Sequence, residues 1–277
     1  MSSIPSKLFR RLRTTLLGPR RVVYTCLFGS SEYFNDFTYD RDGNIDFVCF
    51  TDDPELTSEF WTIKLIEPGL LDPARAAKRI KAQPHLYLPD YDWSLYLDNT
   101  IRLKTAPRQL FDLFLAKAPS PLVCFPHPER DCVYDEAEKV IELDFDHPDR
   151  VRAQMDVYRQ LGYPARNGLA SSGFLLRRHH DPKLTAVMDR WHQEVLRHSK
   201  RDQLSMNAVM WFHHFSPTYL NLNFYDFDLL DWPVVKNGVR VPRDFEDARY
   251  LKLHPDVTTN ARRHYLREGA KEGRRYK

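Results

Sequence analysis

The 277-residue chain has no run of eighteen or more apolar residues, and this excludes a bilayer-spanning helix. Its opening stretch, MSSIPSKLFRRLRTTLLGPRR, lacks the apolar core and small-residue cleavage site of a secretory signal. Four cysteines, Cys26, Cys49, Cys124 and Cys132, occur without any C-x-x-C spacing, which argues against zinc and for reduced thiols inside a cell. Cys26 and Cys49 fall in apolar strand candidates, where a free thiol behaves as a small hydrophobe. No basic patch interleaved with aromatics recurs in the body of the chain, so nucleic acid is not an expected partner.

What is present is a large potential core. With 42% hydrophobic and 13% aromatic residues, the chain supports one sizeable domain, or one domain plus an appendage. The net charge of +3 conceals an asymmetry. Lys7, Arg10, Arg11, Arg13, Arg20 and Arg21 supply +6 before the first acidic residue, Glu32, so the remainder sums to −3. Residues 1–20 therefore read as a basic leader. With Leu8, Phe9, Leu12, Leu16 and Leu17 between cations, it is either a short amphipathic helix for an anionic membrane surface or a disordered arm.

The chain is organised around Arg75 to Thr100, RAAKRIKAQPHLYLPDYDWSLYLDNT. Arg75, Lys78 and Arg79 fall at i, i+3 and i+4 of a helix candidate, so three cations share one face, with Lys81 near its edge. Pro84 stops that helix. WSLYLDNTI then reads as an apolar strand carrying one carboxylate, Asp98, at its C-terminal end. Ligands of open α/β sheets sit outside the carboxyl ends of the strands. Asp98 there suits a divalent cation and the basic face suits a diphosphate, and a sugar nucleotide needs both. A turn aspartate beside a solvated basic face is the plainer alternative.

Val22 to Phe28, ended by Gly29, reads as a buried first strand and tight turn, with Thr25, Phe28 and Gly29 lining a nucleotide pocket. IDFVCFTDDPEL is a second buried strand. It ends in Thr51 and Asp52, with Asp52 as an acceptor for ribose or base, or else a turn residue before Pro54. A third strand spans Phe60 to Ile66. Helices are expected over Gln109 to Lys117, Tyr134 to Leu143, 149–161 and Leu184 to Arg197.

LVCFPH is a further strand that delivers His127, Glu129 and Arg130 into a loop suited to sugar hydroxyls or to local ion pairs. Around NGLASSGFLLR, Asn167, Ser172 and Gly173 flank a turn and strand where a hexose fits against backbone. His179 and His180 read as a polar turn. Asp202 sits at a helix start as a base or an N-cap, followed by Gln203, with Leu204, Ala208, Val209 and Trp211 expected to face inward.

VVYTCLFGSSEYF, DFVCFTDDP, PHLYLPDYDWSLYLDNTI, HPERDCVYDEAE, NGLASSGFLLRRH and KRDQLSMNAV together resemble, in order and spacing, a glycosyltransferase-like family once catalogued as domain of unknown function 616. That family has bacterial surface-polysaccharide and plant Golgi members. The resemblance covers Arg21 to Phe215. It implies a GT-A-like, Rossmann-like α/β fold with a mixed central sheet flanked by helices, a nucleotide-sugar donor, a glycan or glycoconjugate acceptor, and a divalent metal, Mn2+ or Mg2+.

By the same resemblance, Asp98 looks like the first residue of an Asp-x-Asp motif and is the metal ligand, while Thr100 stands where the second Asp would be. Asp202 and Gln203 look like the acceptor or catalytic pair. Asp98, Asp202 and His127 are thus the candidate catalytic residues. Thr25, Phe28, Gly29, Thr51, Asp52, Arg75, Lys78, Arg79, Asn167, Ser172, Gly173 and Gln203 are the candidate donor-binding residues.

The domain spans 21–235, and ARYLKLHPDV with HYLREGAKEGRRY forms a short helical module over 240–277, similar to modules appended to bacterial glycan enzymes. Residues 262–277 carry seven Lys/Arg against two Glu. The expected activity is sugar transfer in cell-surface polysaccharide synthesis, in the cytoplasm or at the inner membrane face. The competing expectations are a glycan-binding scaffold or a hydrolase on the same fold.

Overall fold

A computed structural model describes residues 18–41, 45–220 and 229–277. The leader expected over 1–20 lies almost wholly outside the described residues.

The apolar runs become strands buried on both faces. β1 (Arg21–Leu27), β2 (Ile45–Thr51), the short edge strand β3 (Thr62–Leu65) and β4 (Trp93–Leu97) run parallel. β6 (Leu122–Pro126) and β8 (Thr218–Tyr219) are parallel to each other. β7 (Ala170–Arg178) lies antiparallel between β4 and β6, giving the order β3-β2-β1-β4-β7-β6-β8. A separate ribbon pairs β5 (Arg102–Leu103) with β9 (Leu230–Asp231). This is the mixed, helix-flanked α/β sheet expected from the sequence.

The two-residue period of a strand divides the core. Val22, Tyr24 and Cys26 face one layer. It is covered by α1 (Pro73–Ala82), α6 (Pro182–Arg197) and α7 (Gln203–Phe212) through Ile80, Trp191 and Met206. Val23 and Leu27 face the other layer. Its cover is α3 (Pro107–Leu110) and the π turn Phe111–Leu115, where the sequence suggested one regular helix.

Between these come the short α2 (Pro84–Tyr87), α4 (Val133–Glu142) and α5 (Pro148–Gln160). All four cysteines are buried. Trp211, expected inward, is 37% exposed and packs edge-on against Tyr163 and Phe212. His179 and His180 form the expected turn, though His179 is buried.

The C-terminal module has its own small core of Val241, Phe245, Tyr250, Val257, Ala261 and Leu266. It contains α8 (Asp247–Leu253) and α9 (Ala261–His264). The module docks on the loops after β1 and β2 through Arg263 with Asp53 and Glu55, and through Tyr33 to the Leu266 carbonyl.

α1 begins where Asp72 accepts from the Arg75 backbone N–H and Pro73 supplies a preset φ. Arg75 then leaves the basic face. Its Nε donates to the Val195 carbonyl at 3.0 Å and Nη2 to the His198 carbonyl at 2.7 Å, satisfying the last carbonyls of α6. Charged hydrogen bonds of this kind contribute about 1.5–3 kcal/mol each. Arg75→Met is therefore expected to cost about 2 kcal/mol in urea unfolding, while the substitution leaves the cleft described next intact.

Candidate active site

The cleft opens where the C-terminal end of β4 meets the N-terminal end of the antiparallel β7. Its volume is about 180 Å³, and its walls carry Lys78 and Lys81 of α1, Tyr96 and Asp98 of β4, and Ser171 to Gly173 of β7. His127, Arg201, Asp202, Gln203 and Trp232 complete it. Seven of the fifteen predicted site residues converge here: Lys78, Asp98, His127, Ser172, Gly173, Asp202 and Gln203.

Asp202 is the hub. Its carboxylate lies 2.7 Å from Lys81 Nζ and 4.0 Å from Lys78 Nζ, and accepts from Ser172 Oγ at 3.2 Å. The Lys81 and Asp202 side chains are 5% and 7% exposed. Burial by itself raises the Asp202 pKa, but the Lys81 ammonium, seconded by Lys78, outweighs it and holds the carboxyl well below the usual range. Burial likewise opposes the Lys81 charge, and Asp202 with Asp98 more than restores it. For Lys78 burial prevails over the more distant Asp202, so its pKa falls. Asp202 is therefore a poor proton acceptor, which counts against the role of base expected for it. Its side chain makes no N-cap hydrogen bond either.

Neighbouring groups fix both partners. The Asp202 carbonyl accepts from Trp191 Nε1 at 2.8 Å and Ser205 Oγ at 3.1 Å. The Lys81 carbonyl accepts from Tyr24 Oη at 3.0 Å and Arg177 Nη1 at 2.7 Å. Asp146 holds the approach to Arg201 by accepting from Ser199 Oγ and the Lys200 N–H, both at 2.7 Å.

Asp98 is the more open carboxylate, 42% exposed. Its Oδ1 accepts from Tyr96 Oη at 2.8 Å and Lys81 Nζ at 3.4 Å. Gly173 lets Asp98 sit against β7, since a Cβ there would stand 2.9 Å from Oδ2. His127 Nδ1 accepts from the Glu129 and Arg130 N–H groups, and Nε2 lies 3.3 Å from Arg130 Nη2. Burial, with Arg130 opposing Glu136, holds His127 below the usual imidazole range. In its loop Arg130 pairs with Glu129, and it also reaches Glu136 of α4.

Several expected site residues lie elsewhere. Arg75 caps α6, and Arg79 stands 6.0 Å from the Tyr87 ring, outside the cleft. The cations ion-paired to the cleft carboxylates are Lys78 and Lys81, and Arg201 lines the same cleft. Phe28 is buried in the core. Gly29, at φ 77°, donates its N–H to Asp52, and its turn packs against Pro73, where a Cβ would stand 2.7 Å away, so the tight turn serves packing. Thr51 is fully buried and accepts from the Asp53 N–H.

Thr25, also buried, faces a minor crevice that includes Asp98. Asn167 lines a separate groove with Asn207, Trp211 and Tyr219. The sequence reading missed Arg201 and Trp232 and gave Lys81 only an edge position. An i+3 spacing from Lys78 was the available signal for Lys81.

The donors do not fit a protein-held divalent metal. Asp98 already accepts from an ammonium and a hydroxyl, Thr100 is a buried hydroxyl where a second carboxylate was needed, and Asp202 is paired with two lysines. Among the described residues no group of three His, Cys, Asp or Glu side chains is placed to hold one.

The model of the TOD1/MUCI70, glycosyltransferase-like domain matches residues 50–227, well over half of the chain. The chain belongs to that family. Among solved structures, the apo form of mouse xyloside xylosyltransferase 1 is similar at 12% identity and a TM-score of 0.45, covering 72% of this chain and 84% of that one. No curated protein matches the sequence.

Because the folded Asp202 pKa lies below its unfolded value, the ion pair adds stability above about pH 4 and loses it as pH falls toward the folded pKa. Asp202→Asn is expected to destabilise by about 3 kcal/mol at neutral pH, since Lys81 stays buried with only Asp98. Urea unfolding of both proteins between about pH 7 and pH 3 should show that gap narrowing on the acid side.

Proposed function

We propose that this glycosyltransferase moves a sugar from a nucleotide-sugar donor to a glycan or glycoconjugate acceptor in the synthesis of a cell-surface polysaccharide. The supporting observation is the pair of lysines fixed by Asp202 at the rim of a cleft that also holds an accessible carboxylate. Breaking the bond between the anomeric carbon and the diphosphate leaves charge on a phosphate oxygen. Lys78 and Lys81 are positioned to receive that charge with no reorganisation during the step.

Asp98 orients a sugar or acceptor hydroxyl, and Gly173 lets the sugar approach β7. The Tyr96 hydroxyl, whose pKa burial drives well above its ordinary value with the Asp98 charge adding to the effect, stays protonated and keeps Asp98 in place as a donor. His127 and Gln203 face the acceptor side. Among the described residues no helix is long and apolar enough to cross a membrane.

Purified protein incubated with a panel of nucleotide sugars, with and without glycan acceptors, is expected to release nucleotide in a donor-specific way and faster with acceptor. Asp98→Asn should cut that rate by about 10²-fold, as for loss of one oriented polar group. Gly173→Ala should lower it through displacement of Asp98. Glycan binding with no turnover of any donor would instead mark a scaffold, and acceptor-independent release would mark a hydrolase.

A further inference from the structure

We infer, resting on the nucleotide-sugar reading above, that Lys78, Lys81 and Arg201 take the place of a divalent cation in this cleft. A nucleoside diphosphate then binds and departs without added metal.

Three observations carry this. First, Asp98 Oδ1 is 3.4 Å from Lys81 Nζ, so a dication at this carboxylate meets an ammonium already beside it. Second, the carboxylate that could balance that extra charge, Asp202, is committed to Lys81 and Lys78. Third, Arg201 lines the same cleft one residue before Asp202, with its guanidinium carbon 4.4 Å from the Phe145 ring centroid.

The cleft thus carries three cations against the carboxylates Asp98 and Asp202 and retains a net positive charge before any ligand arrives. Two ammonium groups and a planar guanidinium suit the non-bridging oxygens of a diphosphate. Hydrogen bonds hold Lys81 and Asp202 in place beforehand, and Lys78 stands 4.0 Å from the same carboxylate, which is the work a coordinated metal performs elsewhere.

The test is calorimetric titration of UDP, GDP and ADP into the full chain, once in EDTA and once in excess manganese or magnesium. At least one nucleotide should bind with a Kd that agrees within about threefold between the buffers, a difference under 1 kcal/mol. Lys78→Met should weaken that binding by about tenfold or more, the loss of one charge-assisted contact. Since Lys81 still pairs with Asp202 in that variant, its fold is expected to persist, and circular dichroism checks this.

Binding seen only with metal, or weakened more than about tenfold by EDTA, overturns this inference and leaves the transferase reading standing. So does a folded Lys78→Met that binds as tightly as the parent. Absence of nucleotide binding in every buffer removes both.

Discussion

The cleft depends on one buried interaction, the Asp202 carboxylate held between Lys81 and Lys78. At an effective dielectric of about 20, charges 2.7 Å apart attract by about 6 kcal/mol. Each buried ion loses several kcal/mol of hydration, so the pair gains little net stability over an apolar replacement. Stability alone does not account for placing it at the rim of a cavity. What the pair does supply is position, because two flexible lysine stems acquire one geometry through a carboxylate that Ser172, and through its backbone Trp191 and Ser205, hold still.

That geometry follows from the sheet. β1 to β4 are parallel and end on one side, and the antiparallel β7 begins there, so the Asp98 N–H donates to the Gly173 carbonyl at 2.9 Å. The Asp98 carboxylate and the Ile101 side chain leave no room for a Cβ at 173, and glycine occupies it. α1 approaches from the other side. Tyr24, inside β1, and Arg177, inside β7, both donate to the Lys81 carbonyl, tying the end of α1 to the strands on which the cleft is built.

Apolar periodicity made the long strands and most helices legible, because burial on both faces leaves near-continuous hydrophobic runs, while the mixed sheet was implied by the family resemblance. Asp98 and Asp202 were legible as charges at element ends, and Lys78 as a cation on the basic helix face. The choice among cations was not. Spacing of i, i+3 and i+4 shows that side chains share a face but not which neighbour that face meets. Arg75 is long enough to reach the carbonyls at the end of α6, and they claim it. Lys81 is in the last turn, where only tertiary contacts show it turning inward. Asn167 was misplaced for a similar reason: the turn around Gly168, at φ 78°, turns it toward Asn207 and Trp211.

The larger departure concerns the ends of β1 and β2, where the sequence suggested a nucleoside. Arg263 reaches Asp53 and Glu55, Arg240 pairs with Glu32 at 3.2 Å, and the Val241 N–H donates to the Ser31 carbonyl at 3.0 Å. The cavity between the module and these loops is about 70 Å³, against about 180 Å³ for the cleft beside Asp98. The module therefore covers the strand ends that appear most accessible in the linear sequence. The open face moves along the sheet to the junction of β4 and β7, where Trp232, just after β9, lines the same cleft as the lysines. Segments about 210 positions apart in the chain thus meet at these strand ends, a relation that no local pattern in either segment encodes.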